Sequence, residues 1–552
     1  MHHSARNPTA HGVRLRQQIL LHCGRNRNAR ESVRKERRAI PGTALSLVPL
    51  DDRPCNRVFP QQLAPIAGWD VLMPPGEVLG RFTEPGDCES IAQWLRQQET
   101  NRLVVSLDML CFGGLIASRT LAAEPGRALE RLEVLRALRS SRPDLIVFAF
   151  SVIMRLGTTV ASDVDLDRHL LLRAYSQLLD RVERLGEGEA RAELAAVEGK
   201  LAGGDLDEYL QVRRRNHAVN RAAVQLTAEG AIDFLVLAQE DAAPVGIHIP
   251  EQMALRGQVE EFRVGDRVAI SPGADEMGLD LMARHVIASS GNAVGIAVDY
   301  AAQAGAEVVP EFETQPLRRT VEDHVGIAGA RLSSPLEASA ILFVHTPIER
   351  QPDIAEAPPG GHAFALALQA DSVVERLEAA SAAGRLVGLA DLAYCNGVDP
   401  ELVFALQRRK LFESVHAFAG WNTTANTVGT VVSQLCLLSA SGAAPARAAL
   451  SALQRFLACR FADDYGYQSV VRPKAMQRAR EMGVNPYALG ESSNDLEHFV
   501  RGELEPLAHD FYSRLLGGDA AHDSPAFRLS LPWGRLFEVE VEFASSTAPK
   551  NL

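Results

Sequence analysis

The sequence predicts an α/β protein of two Rossmann-like parallel-sheet lobes, with a helical insertion in the first and a C-terminal β extension. Three observations carry this. From residue 44 onward, short β-branched apolar runs alternate with longer stretches of helical spacing. The runs are continuous rather than alternating, as expected of parallel strands buried on both faces. About eleven of them can be counted, which favours two lobes. A single TIM-like barrel is the rival, because β-α units alone do not distinguish an open sheet from a closed one.

Taken in order, residues 1–43 form a basic leader expected to be disordered. Nine Arg and one Lys against two Glu give residues 1–40 a charge of +8, leaving −20 for the rest of a chain of net charge −12. A first α/β lobe is expected over 44–262, with strands in "ALSLVPL", "VLMPP", "LVVSLDML", "LIVFAFSV" and "IDFLVLAQ". Between them lie the helical stretches Glu89 to Gln98 and Ala128 to Leu138. Residues 165–228 interrupt the alternation with helical spacing and i,i+4 charge pairs, and read as an insertion of two or three helices.

A second lobe is expected over 263–460, with strands in "RVAISP", "AVGIAVDY", "AEVVPEF", "AILFVHTP", "RLVGLADL" and "VHAFAGW". The stretch 348–361 is the best loop. Residues 461–552 read as a helical and β extension, in which "RLFEVEVEF" alternates as a strand with one wet face should.

Composition bounds the function. Of 552 residues, 46% are hydrophobic and 23% charged, as in a globular protein, and no stretch reaches the roughly 18 apolar residues of a membrane span. The negative net charge argues against nucleic acid as a partner of the main body. Seven cysteines are scattered, odd in number and without a C-x-x-C pair, so neither a disulfide scaffold nor a zinc-thiolate site is expected and the default compartment is the cytoplasm. Phosphate-loop, dinucleotide, serine-elbow and H-E-x-x-H motifs are absent.

In α/β folds ligands sit beyond the carboxyl ends of the strands, and polar residues collect there repeatedly. "PLDDRPCN" supplies Asp51, Asp52, Arg53 and Asn56; the next strand ends supply Asp108, Arg119 and Arg155; "LAQEDAAP" supplies Gln239, Glu240 and Asp241. Farther on stand Asp275 and Glu276, then Asp391, Asn396 and Asp399, then Trp421, Asn422 and Asn426. Taken singly, each Asp or Asn reads as a helix cap or turn former, as Asp399 before Pro400 and Thr427 before "VGTVV" do. Likewise Gly113 and Gly114 read as a tight turn. Capping does not explain four polar groups within the six residues "DDRPCN", or a carboxamide and two carboxylates at one strand end.

The stretches "VPLDDRPCN", "SLDMLCFGGLIASR", "AQEDAAPVG", "PGADEMGLDL", "NGVDPELV" and "GWNTTANTVGT" together resemble a bacterial family catalogued only as a domain of unknown function, number 4127. The resemblance runs from about residue 44 to the end. It implies a cytosolic α/β protein with a shared polar site and brings no activity with it. Where that family more usually carries two aspartates, this chain has Glu240, whose extra methylene argues against a strict metal-ligand role.

The leading expectation is a hydrolase acting on a hydroxyl-rich small molecule, such as a glycoside. Its acid and base would come from Asp52, Asp108, Glu240 and Asp241. Substrate would be held by Arg53, Asn56, Arg119, Arg155, Asp391, Asn396, Asn422 and Asn426, with Trp421 as an exposed stacking face. Two alternatives use the same residues. In one the acids bind Mg²⁺ or Mn²⁺, which take oxygen donors. In the other a two-lobed protein closes on a sugar or metabolite without chemistry.

Overall fold

The computed structural model describes residues 43–160, 162–355, 362–441, 447–516 and 525–543. The basic leader therefore lies outside the described residues except for Thr43, as does part of the expected loop at 348–361.

Two open parallel sheets form the protein. The first contains β1 (Ala44–Val48), β2 (Asp70–Leu72), β3 (Arg102–Ser106), β4 (Ile146–Ile153), β5 (Phe234–Gln239) and β6 (Val268–Pro272), in the order β2-β1-β3-β4-β5-β6. The second contains β7 (Gly295–Tyr300), β8 (Arg331–Leu332), β9 (Ala340–His345), β10 (Leu386–Asp391) and β11 (Ala417–Ala419), in the order β8-β7-β9-β10-β11. Neither sheet closes into a barrel. β12 (Phe527–Ser530) and β13 (Glu540–Phe543) make a small antiparallel ribbon near the C-terminus.

The apolar runs are continuous because each face of the first sheet meets a different core. In β3 to β5, Val104, Phe148, Phe150, Phe234 and Val236 face one core. Their neighbours Leu103, Val105, Val147, Ala149, Leu235 and Leu237 face the other. This period of two is the pleat itself.

Of the helices, α1 (Pro54–Leu63) follows β1 with Pro54 at its first turn. Three helices, α2 (Asp163–Glu183), α3 (Arg191–Glu198) and α4 (Asp205–Ala228), occupy the inserted stretch. Asp205, Asp207 and Glu208 favour the start of α4 through the helix dipole. α5 (Met277–Ser290) and α6 (Leu317–Ile327) follow β6 and β7. α7 (Thr424–Ala440) follows β11, and α8 (Ser493–Leu516) belongs to the extension.

The lobes are joined through packing. α5 rests on α7 and on the first sheet, and α7 rests on β10 and β11 of the second. One apolar core therefore runs from Leu47 and Phe234 through Met282 and Val431 to Leu342 and Leu389, and on to Phe461 and Phe511 in the extension.

Three sequence expectations need correction. "RVAISP" does not open the second lobe: Val268–Pro272 pairs with Phe234–Gln239 as the edge of the first sheet. "AEVVPEF" is not a strand. Gln303–Ala306 is a short helix, and the chain then turns through Pro310 and through Phe312 at φ 68°, whose carbonyl accepts from Ala242 N at 2.7 Å. Thr427 does not start a helix; α7 begins three residues earlier, capped by Thr423 and Asn426 in a reciprocal capping box.

Candidate active site

In each sheet the second strand lies on one side of the first and the third on the other, so a crevice opens beyond the first and third strands. In the first sheet that crevice lies past β1 and β3, where the "DDRPCN" turn and Asp108 are found.

Past β1, Arg53 is the centre of a buried polar knot. Its Nε and Nη2 donate to Asp51 Oδ2 at 2.9 and 2.6 Å, and Nη2 also donates to Asp275 Oδ1 at 2.5 Å. Asn56 Nδ2 donates to the same two acids, to Asp51 Oδ1 at 2.9 Å and to Asp275 Oδ1 at 3.1 Å. Burial pushes the Asp275 carboxyl up to about 6, against the pull of Arg53. Asp52 is half-buried, accepts from Trp533 Nε1 at 2.8 Å, and is raised by burial. The same indole lies under Arg53, 4.8 Å from ring centre to guanidinium carbon.

Past β3, β4 and β5 lies a second group. Asp108 sits in the short helix Leu107–Phe112, almost fully buried, and Val152 N donates to its Oδ2 at 2.8 Å. Burial, reinforced by nearby Glu240, pushes its carboxyl up to about 7. Arg119 pairs with Glu240, and its Nη1 donates to Thr159 Oγ1 at 2.9 Å. Arg155 pairs with Asp241. Four buried atoms here, Arg119 Nε, Arg155 Nε, Glu240 Oε2 and Thr158 Oγ1, have no protein partner.

The two groups are neighbours. Burial lowers the proton affinity of Arg119, with Arg155 and then Arg53 adding to it through space, and the turn after Phe112 runs along β1's end. A Cβ on Gly114 would stand 3.3 Å from Leu50 O and 3.9 Å from Asp51 Cβ. Gly113 adopts φ 86°, and a Cβ there would stand 2.6 Å from the Gly86 carbonyl oxygen. Gly113→Ala is therefore expected to lower stability by about 2 kcal/mol or more, combining left-handed strain with a backbone clash, as read by urea denaturation.

The second lobe brings Asn396, Trp421 and Asn422 to Arg53. With Cys55, Phe59, Asp463, Gln468, Phe537 and Glu538 they line a cavity of about 30 Å³. Asn396 and Asn422 hold left-handed backbones, at φ 57° and 53°, and are joined by Asn396 N donating to Asn422 O at 2.8 Å.

Trp421 is not the exposed platform expected. It is half-buried, meets Phe59 edge to face at 5.9 Å, and donates its indole N–H to Thr430 Oγ1 at 3.2 Å. Asp391 and Asn426 do not line the cavity. Asp391 is buried and accepts from Ala393 N and Asp399 N, which orders the turn into the next helix. Asn426 Nδ2 donates to Glu276, tying α7 to the segment before α5.

Sequence reasoning did not reach several residues. Trp533, Phe537 and Glu538 come from the extension, and nothing local in "PWGRLFEVE" marks them. Asp463 and Gln468 lie in a π-helix, Phe461–Val471, and only the polar-aromatic run "RFADDYGYQ" hints at them. His324 on α6 is fully buried between Asp280 Oδ2, 2.6 Å from its Nδ1, and Glu276 Oε1, 3.7 Å from its Nε2. Among the described residues no group of three or more His, Cys, Asp or Glu is placed to hold a metal ion, and no helix is long and apolar enough to cross a membrane.

A family described as "Protein of unknown function (DUF4127)" matches residues 45–542. A search of curated proteins gives no match.

Proposed function

The chain belongs to this family, and from its geometry we propose a hydrolase that acts on a hydroxyl-rich small molecule such as a glycoside. The observation that carries the reading is the set of unpartnered buried atoms on Arg119, Arg155, Thr158 and Glu240. Buried polar atoms are nearly always satisfied. These four include two obligate donors and one obligate acceptor, and a hydroxyl can answer both kinds where a bare anion cannot. Asp108, with its carboxyl held near 7, is the proton donor. Glu240, with one oxygen held by Arg119 and the other unpartnered, is the base that activates water. Arg155 and Asp241 orient the substrate beside them, and Asp52 and Arg53 close the β1 side.

Two observations weigh against the alternatives. Of the acids that would bind Mg²⁺ or Mn²⁺, Glu240 and Asp241 are already paired with Arg119 and Arg155, and burial pushes Asp108 up to about 7, which leaves little of their charge for a metal. The continuous apolar core between the lobes opposes a clamshell that opens to admit ligand. The described cysteines are all unpaired, in keeping with a reducing compartment, and the proposal places the enzyme in the cytoplasm.

A panel of glycosides and other polyol derivatives, assayed with wild type, Asp108→Asn and Glu240→Gln, tests the reading. Turnover should be lost in both variants; Asp108→Asn should melt near wild type, Glu240→Gln, which strips Arg119 of its buried partner, should melt lower but remain folded at the assay temperature, and a chelator should leave the wild-type rate unchanged. Undiminished rates in both variants would reject the assignment.

A further inference from the structure

The helical insertion touches the group past β4 and β5. One face of α2 carries His169, Arg173, Ser176 and Asp180, which follow one another at helical spacing. The later part of this face is docked on the segment after β5. Gly246 N donates to Asp180 Oδ2 at 2.9 Å, and Ile247 N donates to Ser176 Oγ at 3.1 Å. About two turns earlier the same face meets the segment after β4. There His169 Nδ1 lies 2.7 Å from Thr158 O, and a Cβ on Gly157 would stand 2.5 Å from that nitrogen. The ring can come so close to the backbone because residue 157 has no side chain.

This contact fixes the proton on the imidazole. A carbonyl oxygen only accepts, so Nδ1 carries the hydrogen and Nε2 keeps its lone pair. Burial, with Arg155 and then Arg173 nearby, pushes the imidazole down to about 4 against the pull of Thr158 O and Asp241, so the ring is neutral at neutral pH. Among the described residues, Nε2 has no hydrogen-bond partner, and the side chain is half-buried. His169 therefore brings an acceptor to a place where donors are left over. Arg155 is paired with Asp241, yet its Nε is buried and unanswered, as is the hydroxyl of Thr158. Arg119 Nε and Glu240 Oε2 repeat this pairing of a spare donor with a spare acceptor.

We propose that His169 is a substrate-binding residue, whose Nε2 accepts a hydrogen bond from a ligand hydroxyl beside Arg155 and Thr158. A hydroxyl donates once and accepts as well, which suits an acceptor and a donor set side by side. The ligand must then offer free hydroxyls at two places, one to Glu240 and one to His169. A polyol meets that demand and a simple alcohol does not. The inference rests on the reading of this site as one for a hydroxyl-rich molecule, and it makes the insertion part of the site.

Methyl glycosides, sorbitol and inositol are the probes, read by thermal melting of the full-length protein. His169→Asn separates contact from scaffolding. Its amide nitrogen can stand where Nδ1 does and keep the bond to Thr158 O, but nothing takes the place of Nε2. Polyols also stabilise proteins by exclusion from the surface, and that effect acts alike on wild type and variant. At least one probe should raise the wild-type melting temperature with an apparent affinity about two- to tenfold tighter than in His169→Asn, the worth of one neutral hydrogen bond. Gly157→Ala, which pushes the ring off its seat, should weaken binding likewise. Turnover of the same probes is assayed alongside. A probe that binds through His169 and is not hydrolysed would count against the hydrolase alone. Shifts of equal size in wild type and His169→Asn for every probe would overturn the proposal, and a lower melting temperature of the unliganded variant would then mark His169 as scaffold.

Discussion

Arg53→Ala is expected to cost about 3–5 kcal/mol of stability, the range found when one partner of a buried ion pair is removed. The guanidinium is 6% exposed and makes three side-chain hydrogen bonds to Asp51 and Asp275, whose side chains are equally enclosed. Without it, Asn56 is the remaining side-chain donor to both acids, and two like charges face each other in a dry site. Urea denaturation of the purified variant at neutral pH reads the loss. The penalty should shrink near pH 5, because Asp275 already has a raised proton affinity and protonates further once Arg53 is gone. A companion variant, Arg53→Met with Asp275→Leu, should recover part of the loss by removing the stranded charge along with its partner. A deficit below about 1 kcal/mol in Arg53→Ala would be that of a water-exposed pair, and would contradict the enclosure described.

Alkaline pH is expected to weaken the protein through His324. Asp280 and Glu276 on and before α5, with Glu313 from the preceding loop, hold the imidazolium against the cost of burial and raise it to about 9. A histidine whose folded value lies above its unfolded 6.5 stabilises fully below the unfolded value and loses that contribution as pH rises through the folded one. The buried acids act in a lower window. Glu276 and Glu313 are pushed up to about 7 by burial, so their contribution is lost between the ordinary carboxylate range and neutrality. Between about pH 7 and pH 9 the histidine dominates, and wild type should lose on the order of 2 kcal/mol. Denaturant melts across that range read it directly, and His324→Gln should flatten the slope. An identical slope in the variant would move its origin elsewhere.

The strands were legible because burial on both faces leaves a plain mark, a run such as "FLVLAQ" with no polar interruption. "AEVVPEF" has the same composition and is not a strand, since Pro310 and the left-handed Phe312 turn the chain across Ala242. Edge placement was not legible: nothing in "RVAISP" says which sheet it joins. At the site, Asp52, Arg53, Asn396 and Asn422 could be read because polar side chains at strand ends need a reason. Asp391 and Asn426 carried the same mark and have internal partners, so strand-end polarity alone does not separate ligand contact from scaffolding. Trp533 lies 481 residues beyond Asp52, and no local pattern encodes that hydrogen bond. His324, inside an amphipathic helix, shows its role only when α5 lies against it.

The shared wall of α5 and α7 has a mechanical consequence. Because both sheets lean on the same two helices, neither can swing aside without exposing that seam. On the side of β1's end, Phe82 and Trp533 rest on one another at 5.1 Å, and the indole of Trp533 also holds Asp52.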